Sequence, residues 1–307
     1  MSSKNKLLLG KIETTPGTPV ALAAATDAIR LITGTFTPGA DPREATGIKQ
    51  TFGNLPHGII KTMLQLDVEF YIRNGGGLGI TPDFAPIMHA ANHTVTTNAG
   101  VSVLIDPFTG IGATRHTSSF EWYEDGLKWS FNGAMVGGLK IDPPLDGWCK
   151  CSASIFAPWA DPVAAASLPA GIVYQVSDRI AVDTTDIITD AGTAIAVGSF
   201  AFDTSGAVDV RRLIGNAQAQ MTDRPKPNVS FSKASLATVS DYTRLLALTD
   251  GAFSAVFGAA GNRATLSSAR ARYESVKPAD DGVRINRDQV VAFYETNGDD
   301  AYQIKLD

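Results

Sequence analysis

The sequence contains no long apolar run and only two cysteines among its 307 residues. The opening MSSKNKLLLGKIE has just three consecutive apolar residues, too few for the core of a secretory signal, and no run approaches the length of a membrane span. These absences predict a soluble chain made in the cytoplasm. With 44% apolar and 19% charged residues, the chain can bury the core of one large domain or two ordinary ones.

The two cysteines stand two positions apart in the chain. On a strand, Cys149 and Cys151 would point to the same face, where the geometry for a disulfide between them is poor. A zinc site would need two further ligands at a recognisable spacing. The pattern predicts reduced thiols that serve as small apolar core residues.

Basic residues are not in excess, and the common catalytic motifs are missing. The formal net charge of −5 disfavours tight binding of nucleic acid phosphates. No HExxH, GxSxG or complete P-loop occurs, and GGGLGITP (75 to 82) lacks the third glycine of a dinucleotide-binding loop. Acidic pairs such as Asp280-Asp281 lie in turn sequences typical of solvated loops rather than calcium sites. We therefore predict no enzymatic activity, no cofactor and no metal.

Two of the four histidines stand at helical spacing. His89 and His93 are four residues apart, so they would share one face of a helix. The sequence from Asn92 to Thr94 is typical of a helix exit, however, which places the pair across a frayed end. We expect two surface histidines rather than a metal site.

Period-two alternation of apolar residues dominates the chain. It predicts half-buried strands, for example at Val68, Phe70 and Ile72. FEWYEDGLKWSF, residues 120 to 131, predicts a hairpin because Asp125-Gly126 supplies the positive φ angles of a two-residue turn. The predicted fold is mainly β, with a short helix in each of two repeats.

Two helix-like stretches belong to an internal repeat. DFAPIMHAA predicts a helix with Asp83 as its N-cap, and DYTRLLALT repeats its spacing 158 residues later. The two predicted apolar stripes are Phe84, Ile87, Met88 and Ala91, and Tyr242, Leu245, Leu246 and Thr249. Other echoes follow in the same order: Gly34 with Gly198 (offset 164), FGN with IGN (162), DVEF with NVSF (161) and PPLDG with PADDG (135). Falling offsets in a constant order are typical of two copies with different loop lengths. The alternative is that any two β-rich halves can be aligned somewhere.

The repeat divides the chain into residues 1–162 and 163–307, predicted to be two tandem β-sandwich or β-barrel domains. The Pro and Ala content of APWADPVAAASLPAG, residues 157 to 171, predicts a linker between them. The offsets of 158 at the helix and 135 at the PPLDG turn leave the first copy 23 residues longer in that interval. We assign most of the tryptophan hairpin to this excess.

The start of the chain resembles a known family. LLLGKIETTPGTP (7 to 19), followed by small residues and then strands, resembles the opening of siphophage major tail proteins, the tail tube family. The order strand, long loop, strand, helix, strands is similar to the tail tube fold. The resemblance implies packed β-sheets flanked by a helix, rings stacked into a hollow tube, and weak, non-specific passage of double-stranded DNA through the lumen.

The same resemblance implies partners and a location. It implies a virion tail protein assembled in the host cytoplasm, without membrane contact, whose partners are other copies of itself and the tail terminator, tail tip and tape measure proteins. The duplication departs from the commonest pattern of one tube domain per chain in six-fold rings. If each half is a tube domain, three chains supply six domains, so we expect a pseudo-hexameric trimer rather than a hexamer.

Two segments are assigned to assembly. Residues 37–61 are too long for a hairpin turn and are predicted to form a loop that contacts the next ring through Ile48, Phe52, Leu55, Ile59 and Ile60. The N-terminal arm is predicted to order on a neighbouring subunit, because the flanking turns KNK and TTPGTP leave it no local partner. Its apolar residues are Leu7, Leu8, Leu9 and Ile12.

Strand alternation indicates candidate lumen residues. If Val68, Phe70 and Ile72 face the core, the residues between them face the opposite side of the strand. We assign five residues to the lumen on this basis: Asp67, Glu69, Tyr71, Asn228 and Ser230. The alternative is an outer face, where they would matter only for solubility.

A second functional class is a two-domain β-sandwich adhesin or carbohydrate-binding module. Such a protein would need a shallow, exposed aromatic platform. The candidates are the four tryptophans, all in the first half: Trp122, Trp129, Trp148 and Trp159. Leu127 and Phe131 on the face of Trp129 favour a core position for that residue instead.

Overall fold

A computed structural model of the protein is mainly β, with large antiparallel sheets and, in the part of the chain that it describes, two short helices. The structure describes residues 5–44, 57–108, 115–164, 167–213, 216–223, 225–233, 239–280 and 285–307. The prediction of a mainly β fold is confirmed.

The first half carries helix α1 (Ala85–Ala90) between its strands. Those strands are β1 (Lys6–Ile12), β2 (Ala28–Ile29), β3 (Thr33–Glu44), β4 (His57–Tyr71), β5 (His93–Asn98), β6 (Ser102–Pro107), β7 (Ser118–Glu124), β8 (Leu127–Asp142), β9 (Gly147–Trp148), β10 (Lys150–Pro158) and β11 (Val163–Ala164). Strand β11 lies just beyond the predicted boundary at residue 162, but it pairs with β8 and is counted with the first half.

The second half carries helix α2 (Val239–Ala247). Its strands are β12 (Ala181–Val182), β13 (Ile187–Asp190), β14 (Thr193–Ile195), β15 (Val197–Asp203), β16 (Val208–Leu213), β17 (Asn216–Met221), β18 (Asn228–Lys233), β19 (Gly251–Ala259), β20 (Asn262–Asp280), β21 (Ile285–Phe293) and β22 (Gln303–Leu306).

One long strand in each half belongs to two sheets. The first part of β8 pairs with β7 and β11, and its last part pairs with β10. In the same way, β20 pairs first with β19 and β22 and then with β21. A β-bulge interrupts the β7–β8 ladder between Ser118 and Phe120, and another interrupts the β19–β20 ladder between Gly251 and Phe253. Bulges bend and twist a strand, so each lies where the long strand changes sheets.

The order of pairing recurs between the halves. In the first half, one sheet runs β2–β1–β7–β8–β11 and the other β3–β4–β10–β8. In the second half, the corresponding orders are β14–β13–β19–β20–β22 and β15–β18–β21–β20. Each half therefore repeats the same antiparallel arrangement around its long strand.

The halves join edge to edge. Strand β15 pairs with the last part of β8, with Phe202 opposite Ile141 and Asp203 opposite Lys140. A second connection forms where β6 of the first half pairs with β22 of the second. One buried apolar cluster runs through both halves, and at the joint Phe202 packs against Phe293 and Tyr302. Burial of each large apolar side chain contributes about 1.5–3 kcal/mol.

The register of β3 and β15 corrects one of the sequence echoes. Gly34 pairs with Val68, whereas Phe202 pairs with Val229. Since Val68 and Val229 occupy the same place in DVEF and NVSF, Gly34 corresponds to Phe202 rather than to Gly198. Strand pairing therefore identifies equivalent residues of the two halves more reliably than the short glycine-containing motif does.

The extra length of the first half does not lie where we predicted. The tryptophan hairpin β7–β8 has a counterpart in β19–β20, and each closes with a two-residue turn. In the first turn, Asp125 and Gly126 have the positive φ angles expected from the sequence. The added residues form the β5–β6 hairpin between α1 and β7, where the second half has only residues 248–250. The prediction was wrong because it compared side chains, and the two hairpins share only their backbone geometry.

The helices also differ from prediction. The α1 stripe is buried as expected, but the N-cap of α1 is Phe84, without a side-chain capping bond. Asp83 does not cap the helix because its carboxylate is bound by the guanidinium of Arg73. In α2 only Leu245 of the predicted stripe packs against the core, whereas Tyr242 and Leu246 are exposed.

Candidate assembly site

The predicted alternation of β4 is present. Val68 and Phe70 are buried, while Asp67, Glu69 and Tyr71 lie on the opposite face. Asp67 accepts hydrogen bonds from Ser154 Oγ (2.6 Å) and from Gln65 Nε2 (3.2 Å), so the carboxylate is fixed to the neighbouring strand β10. In β18 of the second half, Val229 and Phe231 are buried, and Asn228 and Ser230 point to the other side. Whether these faces line a channel stays a prediction.

A hairpin from the second half covers part of that face in the first half. A Cβ atom added to Gly137, which pairs with Ser154, would lie 3.1 Å from the Gly206 carbonyl oxygen and 3.4 Å from Val208 Cβ. Hairpin β16–β17 begins at Val208, and its Val210 and Ala219 are buried. This polar face, which also carries Lys140 and Lys150, is therefore covered on the β8 side.

Strand β3 presents one unpaired edge. Among the described residues, β3 pairs only with β4. Lys6 Nζ donates to the Gly34 carbonyl (3.1 Å), which shows that the backbone of Gly34 points away from β4. A cleft of about 460 Å³ opens beside this edge, lined by Gly34, Trp122 and Tyr174 among others.

The last part of β20 presents the corresponding edge in the second half. From Arg272 onward, β20 pairs with β21 on one side, and no described strand pairs with its other side. The equivalent edge of β8 is the one that β15 occupies. Within the described residues, β8 and β15 therefore form an edge joint, while the corresponding strands β20 and β3 each leave one edge unpaired.

The N-terminal arm is not a free segment, which corrects the sequence prediction. Residues 6–12 form β1, which pairs along its whole length with β7 and also with β2. Its three leucines are buried, and Ile12 ends the strand. Local turns could not reveal this, because the partner strand lies far along the chain at Ser118–Glu124.

The long loop predicted for residues 37–61 is largely strand. Residues 37–44 belong to β3 and residues 57–61 belong to β4, so Ile59 and Ile60 lie in a strand. Ile48, Phe52 and Leu55 lie outside the described residues. Pro38 and Pro42 lie in β3, since proline is tolerated in an edge strand, where its missing N–H faces away from the ladder.

His93 is buried and His89 is half-buried, so the two histidines are not a surface pair. His93 is fully buried, with Nδ1 3.1 Å from the Met88 carbonyl oxygen and Nε2 2.6 Å from the Tyr302 hydroxyl. The rings of His89 and His116 stack with centroids 4.2 Å apart. Burial lowers the pKa of both His89 and His93 from 6.5 to about 4. The prediction of surface histidines was wrong because β5, which begins at His93, packs against the second half.

In each half, an ion pair connects the end of the strand before the helix to the helix region. Arg73 follows β4 and binds Asp83 through two nitrogens, with the charged groups of both residues almost completely buried. Lys233 ends β18 and lies 3.3 Å from Asp241, the residue 158 positions after Asp83. Sequence reasoning missed these pairs, although the shared offset of Asp83 and Asp241 was a usable signal.

The cysteines and tryptophans were assigned partly correctly. Cys149 and Cys151 are free and buried, as predicted, and burial raises the pKa of both thiols. Trp122 is buried, and Trp129 packs against Phe36 with ring centroids 4.5 Å apart. Only Trp148 and Trp159 are exposed enough to contact a ligand, so the first half does not present all four tryptophans as a platform.

The described residues contain no cluster of three or more side chains suited to a metal ion. Within those residues, no helix has the length and apolar character needed to cross a membrane. No protein-family model matches the sequence, and no similar curated protein was found.

Proposed function

We propose that the protein is the major tail tube subunit of a long-tailed, siphovirus-like phage, and that it assembles into stacked rings with a DNA-conducting lumen. The observation that carries the proposal is the edge joint between the halves. Strand β15 of one repeat completes the sheet of the other repeat by pairing with β8. The equivalents of those two strands, β3 and β20, are left as unpaired edges among the described residues.

The same joint can close a ring between chains. Since β3 corresponds to β15 and β20 to β8, β20 of one chain can pair with β3 of the next, as β8 pairs with β15 within a chain. Joining edges around a ring removes exposed ladders that would otherwise promote aggregation. Three chains then supply six repeats, which makes the ring a pseudo-hexameric trimer.

The register of the internal joint predicts the register between chains. Phe202 corresponds to Gly34, and the PPLDG offset of 135 relates Ile141 to Val276. The expected pairs are therefore Gly34 with Val276 and Thr35 with Ser275. Gly34 already points its backbone toward the open edge, as this register requires.

Pro38 is compatible with this pairing. It corresponds to Gly206, whose carbonyl oxygen accepts a hydrogen bond from the Gly138 N–H (2.8 Å). Proline retains its carbonyl oxygen and lacks only the N–H. The edge strand can therefore dock with a proline at this position.

The polar strand faces would line the lumen in this arrangement. Asp67 and Glu69 in one repeat alternate with Asn228 and Ser230 in the other. An acidic surface repels DNA phosphates and a neutral surface does not attract them, so DNA would slide without a strong binding site. The tail terminator, tail tip and tape measure proteins would be its partners in the virion.

Disulfide trapping tests the ring. In the internal joint, Thr204 N donates to the Leu139 carbonyl, which makes Asp203 and Lys140 a non-hydrogen-bonded pair with closely spaced side chains. Thr35→Cys combined with Ser275→Cys places a cysteine pair at the equivalent position. Under mild oxidation we expect covalent trimers on denaturing gels, together with rings or tubes in negative-stain images.

A register control makes the test specific. Thr37→Cys with Ser275→Cys keeps the strand face and moves the pair by two residues, so its cross-linking should be much weaker. If the protein stays monomeric and does not cross-link at any protein concentration, the proposal is wrong and the adhesin or carbohydrate-binding alternative is favoured.

A further inference from the structure

Helix α2 carries apolar side chains that the described residues leave largely exposed, although the Tyr242 hydroxyl accepts a hydrogen bond from Arg287 Nη1 (2.6 Å). Leu246 is 83% exposed, Leu248 is 60% exposed and Tyr242 is 38% exposed. The corresponding helix α1 has no such surface, since Ile87, Met88 and Ala90 are all buried. Contiguous exposed apolar side chains of this kind mark interaction sites.

The backbone at the end of α2 indicates the same surface. Leu248 follows the helix with φ +50°, a left-handed conformation that favours glycine and disfavours a large side chain. Its side chain is mostly exposed, so it adds little to the core of the isolated chain. The left-handed conformation of Leu248 therefore costs free energy that packing within one chain does not offset.

The internal joint shows what the corresponding surface of the first half contacts. Helix α1 leads directly into β5, where His93 binds Tyr302, and the following strand β6 pairs with β22. The end of α1 thus meets the closing strand of the neighbouring repeat. After α2 no hairpin is present, because β19 begins at Gly251.

The equivalent closing strand of the first half is β11. Val163 pairs with Lys128 of β8 as Asp307 bonds with Arg263 of β20, and Lys128 and Arg263 are related by the offset of 135. Beside β11, Leu127 and Trp159 are exposed on the face of β8 that carries Trp129, whereas Val163, which pairs with Lys128, points to the opposite face. Trp129 and Phe36 continue this surface inward toward β3, the edge assigned to the chain-to-chain joint.

We infer that the α2 surface, Tyr242, Leu246 and Leu248, docks onto the exposed Leu127 and Trp159 beside β11 of a second copy of this chain. The inference rests on the proposed ring, because the two surfaces meet only if β20 of one chain pairs with β3 of the next. Within one chain, β6 of the first half pairs with β22 of the second half. Between chains this pairing has no equivalent, because the second half lacks a counterpart of the β5–β6 hairpin. The α2 contact takes its place.

Charged substitutions test the contact. Leu246→Lys and Leu127→Glu should each weaken association of the purified chain by about tenfold or more, since each buries a charge in an apolar contact. The double variant should recover part of the lost affinity by pairing the two charges. Val176→Lys is the matched control, because Val176 is 85% exposed in another part of the chain. Sedimentation velocity over a concentration series measures the association, and thermal melting checks that every variant is folded.

The outcomes separate this contact from the ring itself. If Leu246→Lys and Leu127→Glu associate as strongly as the unmodified chain while the Thr35–Ser275 cysteine pair still cross-links, the α2 contact is wrong and the ring stands. If the unmodified chain neither associates nor cross-links, both proposals fail. Weakened association in the single variants with recovery in the double variant supports the contact.

Discussion

His93 of the first half lies with its Nε2 2.6 Å from the hydroxyl of Tyr302 in the second half, and both side chains are buried. Nδ1 faces the Met88 carbonyl, which can only accept, so the neutral ring donates through Nδ1 and accepts the Tyr302 proton at Nε2. A neutral imidazole is thus built into the connection between the halves.

This arrangement predicts acid sensitivity. Burial lowers the pKa of His93 to about 4, so between that value and its unfolded pKa of 6.5 the unfolded state binds the proton more readily. Stability should be fully present above pH 6.5 and should fall as the pH approaches 4, by about 3 kcal/mol for this residue. Urea unfolding at a series of pH values measures it, and His93→Asn should flatten the profile. An unchanged profile in that variant would contradict the assignment.

The two ion pairs should differ in strength. Asp83→Asn leaves the buried Arg73 charge without its partner, which should cost about 3–5 kcal/mol of unfolding free energy. Asp241→Asn should cost less, because the Lys233 side chain is more exposed and can reach water. Denaturant unfolding of both variants gives the ranking, and the reverse order would be inconsistent with these environments.

Two glycines aligned in the sequence should respond differently to alanine. A Cβ at Gly34 would lie 2.5 Å from the Trp122 ring, so Gly34→Ala should destabilise the protein by about 1–3 kcal/mol through overpacking. Gly198→Ala meets only the Ser232 carbonyl oxygen at 4.0 Å, so its effect should be small or stabilising. Thermal melting of the two variants compares them directly, and equal losses would argue against the tight Trp122 contact.

Leu248 should show opposite effects on stability and association. Leu248→Gly relieves the left-handed backbone and should raise the unfolding free energy of the monomer by about 1 kcal/mol. If Leu248 lies in the α2 contact, the same substitution should weaken association. Melting and sedimentation of one preparation test both, and stronger association in the glycine variant would speak against a docking role.

Charge on the open strand face should affect DNA passage if that face lines the lumen. Glu69→Lys with Ser230→Lys adds cations to both repeats on exposed positions. Particles containing the variant should eject DNA more slowly, most clearly at low salt, because phosphate contacts weaken steeply as salt rises. Ejection at the unmodified rate in low salt would place this face outside the channel.

The sequence determined the features that depend on neighbouring residues. Alternation in β4 and β18, the Asp125-Gly126 turn and the buried Cys149 and Cys151 follow from periods of two and from φ preferences, which act over a few positions. The repeat could also be recognised in the sequence, because equivalent turns and strands keep their order in the chain.

Only the tertiary structure decided which strand edges are occupied. The sequence indicated a free N-terminal arm, surface histidines and a long loop at 37–61, yet β1 pairs with β7, His93 meets Tyr302 and most of that loop lengthens β3 and β4. Each outcome depends on a partner far along the chain, and backbone hydrogen bonds of a ladder carry no side-chain signature in either strand. For the same reason, the unpaired edges of β3 and β20 can be identified only from the strand pairing of the described residues in the folded chain.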